Sequence, residues 1–101
     1  MRYEFSPTSQ SATEIYAMDF TDWLGVGEVI NSATVTIGVA YGVDPNLSTH
    51  LIGGPLVTGN IITQKVGNSP IPGFTYILTF TATTSFGQIL PECAELYVKE
   101  C

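Results

Sequence analysis

The two side chains best suited to nucleophilic catalysis are His50 and Cys93, and the sequence around each argues against that role. His50 is the only histidine and lies six residues after Asp44. A catalytic nucleophile needs a base within hydrogen-bond reach, and nothing around His50 resembles a nucleophile elbow. Cys93 follows Glu92, and an acidic neighbour disfavours the reactive thiolate. We therefore predict no catalytic residue and expect His50 on an edge strand or in a loop.

Three carboxylates, those of Asp19, Asp22 and Glu28, are candidates for binding a hard cation through oxygen ligands. Their spacing does not match a calcium-binding loop, and positions at strand ends and caps account for them without a metal. The glycine-containing run at 25–27 could suggest a phosphate-binding loop, but a strand pattern follows it instead of the helix N-terminus that such a loop needs. We predict a turn at 25–27, no metal site and no cofactor.

The charge balance excludes several classes of partner. The chain has three basic and nine acidic residues among 101, for a net charge of −6. Three scattered cations cannot neutralise a run of phosphates, so nucleic acid and anionic membrane surfaces are not expected partners. No signal-peptide apolar run and no uninterrupted span of about 20 apolar residues is present. The length and the absence of a linker predict a single domain over residues 1–101.

The two cysteines, Cys93 and Cys101, are predicted to be free thiols. If the segment between them is one strand, their Cα atoms lie roughly 26 Å apart, far beyond the ~7 Å limit for a disulfide. Cys101 could cross-link chains on oxidation.

Apolar residues recur with period two through most of the chain, which is the pattern of half-buried β-strands. In the clearest run, 74–83, the side chains of Tyr76, Leu78, Phe80 and Ala82 form one face and threonines form the other. Similar but shorter patterns occupy 16–20, 32–37, 61–66 and 94–99, with a weaker one at 50–52. Turn-forming residues separate them at 25–27, 42–46, 53–55, 59–60, 67–68, 70–73 and 85–88. This rhythm predicts an all-β, antiparallel sandwich of about seven strands, of the immunoglobulin or fibronectin type III kind.

One short helical turn is predicted at 21–24, capped by Thr21 or Asp22. The single tryptophan, Trp23, lies in it and either plugs one end of the core or forms a surface contact. Tyr76 follows a proline–glycine turn at the start of the best strand, a placement that resembles the tyrosine corner of immunoglobulin-like sandwiches. Its hydroxyl is expected to bond back to the upstream backbone.

Two segments resemble known families. Residues 72–88, PGFTYILTFTATTSFGQ, look like strand F and the F–G turn of fibronectin type III and bacterial immunoglobulin-like modules. Residues 19–35, DFTDWLGVGEVINSATV, resemble the D-W-L-x-x-G-E-x-I-x-x-A-x-V stretch of small tailed-phage virion proteins of the fibre–tail adaptor type. The order and spacing agree over about 14–99, least well at 39–70.

The resemblance implies a non-enzymatic structural protein of a tailed phage, assembled in the host cytoplasm, located in the virion and bound to other tail or connector proteins, in several copies. A head–tail connector, a capsid decoration protein and an isolated immunoglobulin-like adhesion module remain alternatives. Uncharged segments predicted as loops at 47–60 and 67–73 are candidate contact regions. The candidate interface anchors are apolar and either contact a partner or close the ends of the core: Trp23, Leu51, Ile52, Leu56, Val57, Ile71 and Phe86.

Overall fold

The computed structural model describes residues 3–5 and 7–99. They form eight strands: β1 (Tyr3–Glu4), β2 (Thr8–Ser9), β3 (Glu14–Asp19), β4 (Ile30–Val39), β5 (Leu51–Thr58), β6 (Ile61–Val66), β7 (Thr75–Thr84) and β8 (Ile89–Lys99). Two short 3-10 helices, Thr21–Trp23 and Leu47–His50, lie between strands. None of the helices within these described residues is long and apolar enough to cross a membrane.

The strands form two sheets. The larger one has the order β1-β8-β7-β4, with β2 also paired to β8, and the smaller one has the order β3-β6-β5. The all-β sandwich prediction is confirmed, while its immunoglobulin-like character stays a prediction. The long strands pair antiparallel as expected, but β1 and β2 each pair parallel with β8, so the prediction of a wholly antiparallel fold was wrong at these two short strands.

The core lies between the sheets and follows the predicted alternation. The β7 side chains of Tyr76, Leu78, Phe80 and Ala82 are at most 1% exposed, and their threonine neighbours point away from the core. The smaller sheet contributes Tyr16, Met18, Ile62 and Val66, and Phe20 follows β3. Burial of these side chains is the main favourable term that holds the two layers together.

The segment 47–60 is not the loop that the sequence predicted. It contains a 3-10 helix and the eight-residue strand β5, and only 59–60 turns. The glycines and proline at 53–55 lie inside β5, where the pairing with β6 shifts between Ile52 and Leu56. Gly53 has a φ of +70°, a backbone conformation that glycine adopts without strain. An edge strand tolerates such residues because one of its sides is unpaired.

Candidate interaction surfaces

His50 ends a short 3-10 helix and is buried, which corrects the expectation of an edge or loop position. Its Nε2 lies 2.7 Å from Asp44 Oδ2, and its Nδ1 lies 3.0 Å from the carbonyl oxygen of Gly67. The Tyr76 hydroxyl donates to the same Asp44 oxygen at 2.6 Å and accepts from the Ile71 N–H at 2.9 Å. The predicted bond from Tyr76 to the upstream backbone is thus confirmed. These contacts bind the 40–50 and 67–73 segments to β7.

The electrostatics of this buried cluster follow from those bonds. Burial alone would raise the pKa of Asp44, but bonds donated by Tyr76, the Asn46 N–H and His50 outweigh it and lower the pKa below its ordinary value. Burial, and then the bond to Asp44, raises the pKa of Tyr76 to about 12. The cluster closes one end of the sandwich, and both ring nitrogens of His50 are engaged within it.

Cys93 lies on the outer face of β8, opposite Thr79 of β7, with its Sγ 3.4 Å from the Thr79 Oγ1. It is a free thiol in a half-buried position, as predicted. Cys101 lies outside the described residues.

The three carboxylates considered for a cation are engaged in local turns. Asp19 Oδ1 accepts from the N–H of Thr21 at 2.9 Å and from its hydroxyl, which lowers the pKa of Asp19. Asp19, and not Thr21 or Asp22 as predicted, therefore caps the first 3-10 helix. Glu28 is buried, accepts from the Gly25 N–H at 2.8 Å and from the Thr84 hydroxyl, and closes the predicted turn at 25–27. Among the described residues, no group of three or more His, Cys, Asp or Glu could hold a metal ion.

One exposed apolar surface lies at the end of the sandwich where β7 turns into β8. Val29 exchanges hydrogen bonds with Ser85 through the Val29 N–H and carbonyl, which brings the 25–29 turn against the hairpin turn. A Cβ on Gly25 would lie 3.7 Å from the Phe86 ring. We call this surface the tip patch, defined by Val26, Val29, Phe86 and Ile89, whose exposed fractions run from 52% to 102%.

A second exposed apolar surface covers the outer face of the smaller sheet. Register places Ile15, Lys65 and Ile52 in one row across β3, β6 and β5, and Ala17, Thr63 and Leu56 in the next. Ile15 is 66% and Leu56 68% exposed, and they border a depression of about 200 Å³. We call this surface the sheet patch, defined by Ile15, Ile52, Leu56 and Ile61.

The predicted interface anchors fall at separate places. Ile52 and Leu56 lie in the sheet patch, and Phe86 lies in the tip patch. Val57 is 38% exposed near the β5–β6 turn, while Leu51 and Ile71 are half-buried. Trp23 is half-buried and meets the Phe20 ring edge-on at a centroid distance of 6.2 Å.

The sequence reasoning missed four exposed apolar side chains, and their signal was present. Ile15, Val26, Val29 and Ile89 are apolar residues at positions that the alternation or the turn assigns to solvent. Such residues are informative when they are contiguous, because monomeric proteins rarely expose large apolar patches without a contact to make.

Comparison with known protein families returns one match, a family model described as podophage GP4 fiber-tail adaptor protein gp77, which covers residues 9–97. That span contains both patches. No curated individual protein matches the chain.

Proposed function

The chain belongs to the Gp77 family of podophage GP4 fiber-tail adaptor proteins, and from this membership we propose that it joins a phage tail to its fibre by binding neighbouring virion proteins. In this proposal it is a non-enzymatic structural component of the virion. It binds proteins and neither nucleic acid nor membrane, which accords with its net charge of −6.

The observation that supports this proposal best is the presence of two exposed apolar surfaces on different parts of the sandwich. An adaptor must contact at least two neighbours. The tip patch lies at the β7–β8 end, where Phe86 is 60% and Ile89 68% exposed. The sheet patch lies on the broad outer face of the β3-β6-β5 sheet. Each combines apolar side chains with few charges, the composition found at the centre of protein interfaces.

The proposal includes several copies in the virion, because structural subunits of symmetric assemblies repeat the same contact. One patch would then contact an adjacent copy or the tail, and the other the fibre. The sheet patch contains one cation, Lys65, within its depression, which favours a neighbour with an acidic or carbonyl-rich rim.

Complementation of particles made without the chain would test the adaptor role. Phage particles from a host infection in which this gene is silenced are mixed with purified chain, and fibre occupancy is counted by negative-stain electron microscopy. The wild-type chain is expected to restore fibres. Particles that carry fibres without the chain would contradict the proposal.

Substitutions separate the two patches. Leu56→Asp in the sheet patch and Phe86→Asp in the tip patch should each reduce fibre occupancy at least about tenfold, since an aspartate buried in an apolar contact lacks a partner. Val43→Asp, at an 80% exposed position outside both patches, is the matched control. Thermal unfolding by circular dichroism should show all three variants folded. Full occupancy with both patch variants would show that neither patch is used.

A further inference from the structure

Strand β4 is the most exposed backbone edge of the molecule. It pairs with β7 on one side, and within residues 3–5 and 7–99 no strand pairs with its other side. Its ten residues, INSATVTIGV, contain no charge and no proline. Natural sheets normally protect such an edge with charges, prolines, bulges or a covering segment, because an open edge pairs with other chains.

The other edges carry those protections. β3 has a carboxylate at each end, Glu14 and Asp19. β5 contains Pro55 and the irregular pairing after Ile52. β8 is partly covered by β1 and β2 and has Pro91 in its first half. Against these, the unprotected β4 indicates an edge that is kept free for pairing.

The hydrogen-bonding groups on this edge can be assigned. The Ala40 N–H donates to the Thr75 carbonyl at 2.9 Å, and β4 then runs antiparallel to β7 with Val39 opposite Tyr76. In an antiparallel pair, alternate residues bond to the neighbouring strand. Gly38, Thr36 and Thr34 therefore face β7. The N–H and carbonyl groups that point away from β7 belong to Ala33, Val35, Ile37 and Val39.

A groove of about 450 Å³ runs beside this edge. One wall is formed by Val35, Thr36 and Ile37 of β4, and the opposite wall by Pro45, Leu47, Ser48 and Leu51. Val35, Ile37 and Leu51 pack against the core but are only partly buried, so the sandwich is open here. Every second side chain of a strand added to β4 would enter this groove and cover them.

We propose that β4 accepts an extended, uncharged segment of a different virion protein, added as a further strand of the larger sheet. This inference rests on the proposed adaptor function and names the kind of partner segment. All seven groove residues are uncharged, so a charged side chain there would lose its hydration without gaining a partner. The complementary segment alternates apolar side chains, which enter the groove, with small polar ones, which continue the threonine-rich outer face.

A second copy of the chain fits this edge less well. Both copies carry a net charge of −6. A copy that paired its own β4 here would also bring a second set of Pro45, Leu47 and Leu51 toward a groove that the first set already flanks. The occupant is therefore a segment of another polypeptide.

Hydrogen exchange of individual amides gives a direct test, with fibre-less particles from the complementation experiment as the probe. In the free chain, the amides of Val35 and Ile37 should exchange fast and those of Thr34 and Thr36 slowly. After binding to particles, re-isolation and readout by NMR, Val35 and Ile37 should have slowed by roughly tenfold or more. Unchanged exchange at both residues on wild-type chain that restores fibres would overturn the strand-addition proposal and leave the adaptor function intact.

A proline variant tests the same point by binding. Val35→Pro removes an outward N–H and no bond to β7, so the fold should survive while particle binding weakens by at least about tenfold. Thr81→Lys, on the outer face of the central strand β7, is the control for docking on the sheet face, and it should bind as wild type does. If Val35→Pro does not fold, Thr36→Lys places a charge on the groove wall and should give the same loss.

Two outcomes would overturn the proposal. Undiminished particle binding by the folded edge variant would show that β4 is not used. Slowed exchange at Val35 and Ile37 in the purified chain alone as its concentration rises, with a matching dimer in analytical ultracentrifugation, would show that a second copy takes the edge. If wild-type chain fails to bind particles at all, the adaptor function fails and not only the strand addition.

Discussion

The imidazole of His50 and the carboxylate of Asp44 meet at 2.7 Å in a site where each side chain is 2% exposed. The second ring nitrogen of His50 lies 3.0 Å from the Gly67 carbonyl oxygen. A carboxylate and a carbonyl only accept hydrogen bonds, so the ring satisfies both contacts only when both nitrogens carry a proton. This pair is a charged structural link between the 40–50 segment and the turn that precedes β7.

Removal of the Asp44 carboxylate should strongly destabilise the fold. Asp44→Ala leaves the His50 ring and the Tyr76 hydroxyl without their buried acceptor, and we expect a loss of about 3 kcal/mol in unfolding free energy. Urea denaturation followed by circular dichroism measures it. Asp22→Ala, at an exposed carboxylate, is the control and should change stability by no more than about 0.5 kcal/mol. Equal losses in both variants would contradict the assigned role of Asp44.

The same carboxylate should make stability depend on acid pH. The pKa of Asp44 is lowered in the folded chain from an ordinary value of 3.8. A lowered pKa contributes stability that is present above the unfolded pKa and lost as pH falls through the folded one. The stability difference between wild type and Asp44→Ala should therefore shrink as pH falls from about 4 toward 2. A difference that stays constant over that range would contradict this pKa shift.

Two tyrosines should set the alkaline limit. Burial, and then a bonded carboxylate, raises the pKa of Tyr16 and of Tyr76 from 10.0 to about 12; the carboxylates are those of Glu14 and Asp44. A raised pKa contributes stability that is complete below pH 10 and lost as pH rises toward the folded value. Unfolding free energy should fall between about pH 10 and 12, and less steeply in Tyr76→Phe. The same alkaline slope in both proteins would show that Tyr76 ionises alike in the folded and unfolded chain.

Adjacent threonines near the end of β7 offer a matched pair of substitutions. Thr84 is buried and donates to the buried Glu28 carboxylate, whereas Thr83 is exposed. Thr84→Val removes that donor and should cost about 1–3 kcal/mol, because a buried acceptor is left short of a partner. Thr83→Val keeps a β-branched side chain at a solvent-facing strand position and should be nearly neutral. Similar chemical-denaturation midpoints for the two variants would show that Glu28 does not depend on Thr84.

Much of the fold could be predicted from the sequence because alternation is a local signal. The run at 74–83 predicted which β7 side chains enter the core, and Tyr76 forms the expected bond to Ile71. Strand β5 could not be predicted in this way. Its Gly-Gly-Pro sequence is typical of a turn, but the Gln64 amide donates to the carbonyls of Ile52 and Gly53 from the neighbouring strand. That support exists only once β5 and β6 pair.

The burial of His50 was also beyond local reasoning. Its partners are six and seventeen residues away, at Asp44 and Gly67. Tyr76 is 32 residues from Asp44. Only the fold brings these groups together. The apolar patches lie between these cases, since Leu56 and Phe86 were identified from composition, whereas Ile15 needed the strand register to show that it joins Leu56 on one surface.

The indole of Trp23 and the ring of Phe20 should differ in their contributions to stability. Phe20 is fully buried, while Trp23 is half-buried and meets it edge-on. Phe20→Ala should cost about 3–5 kcal/mol, as expected for a large core side chain. Trp23→Ala should cost roughly half of that, since only part of its surface leaves water on folding. Thermal and urea unfolding of the two variants measure the difference. A Trp23→Ala loss as large as that of Phe20→Ala would show that the indole is a core plug. A loss below about 1 kcal/mol, combined with defective binding to fibre-less particles, would instead assign Trp23 to the interface.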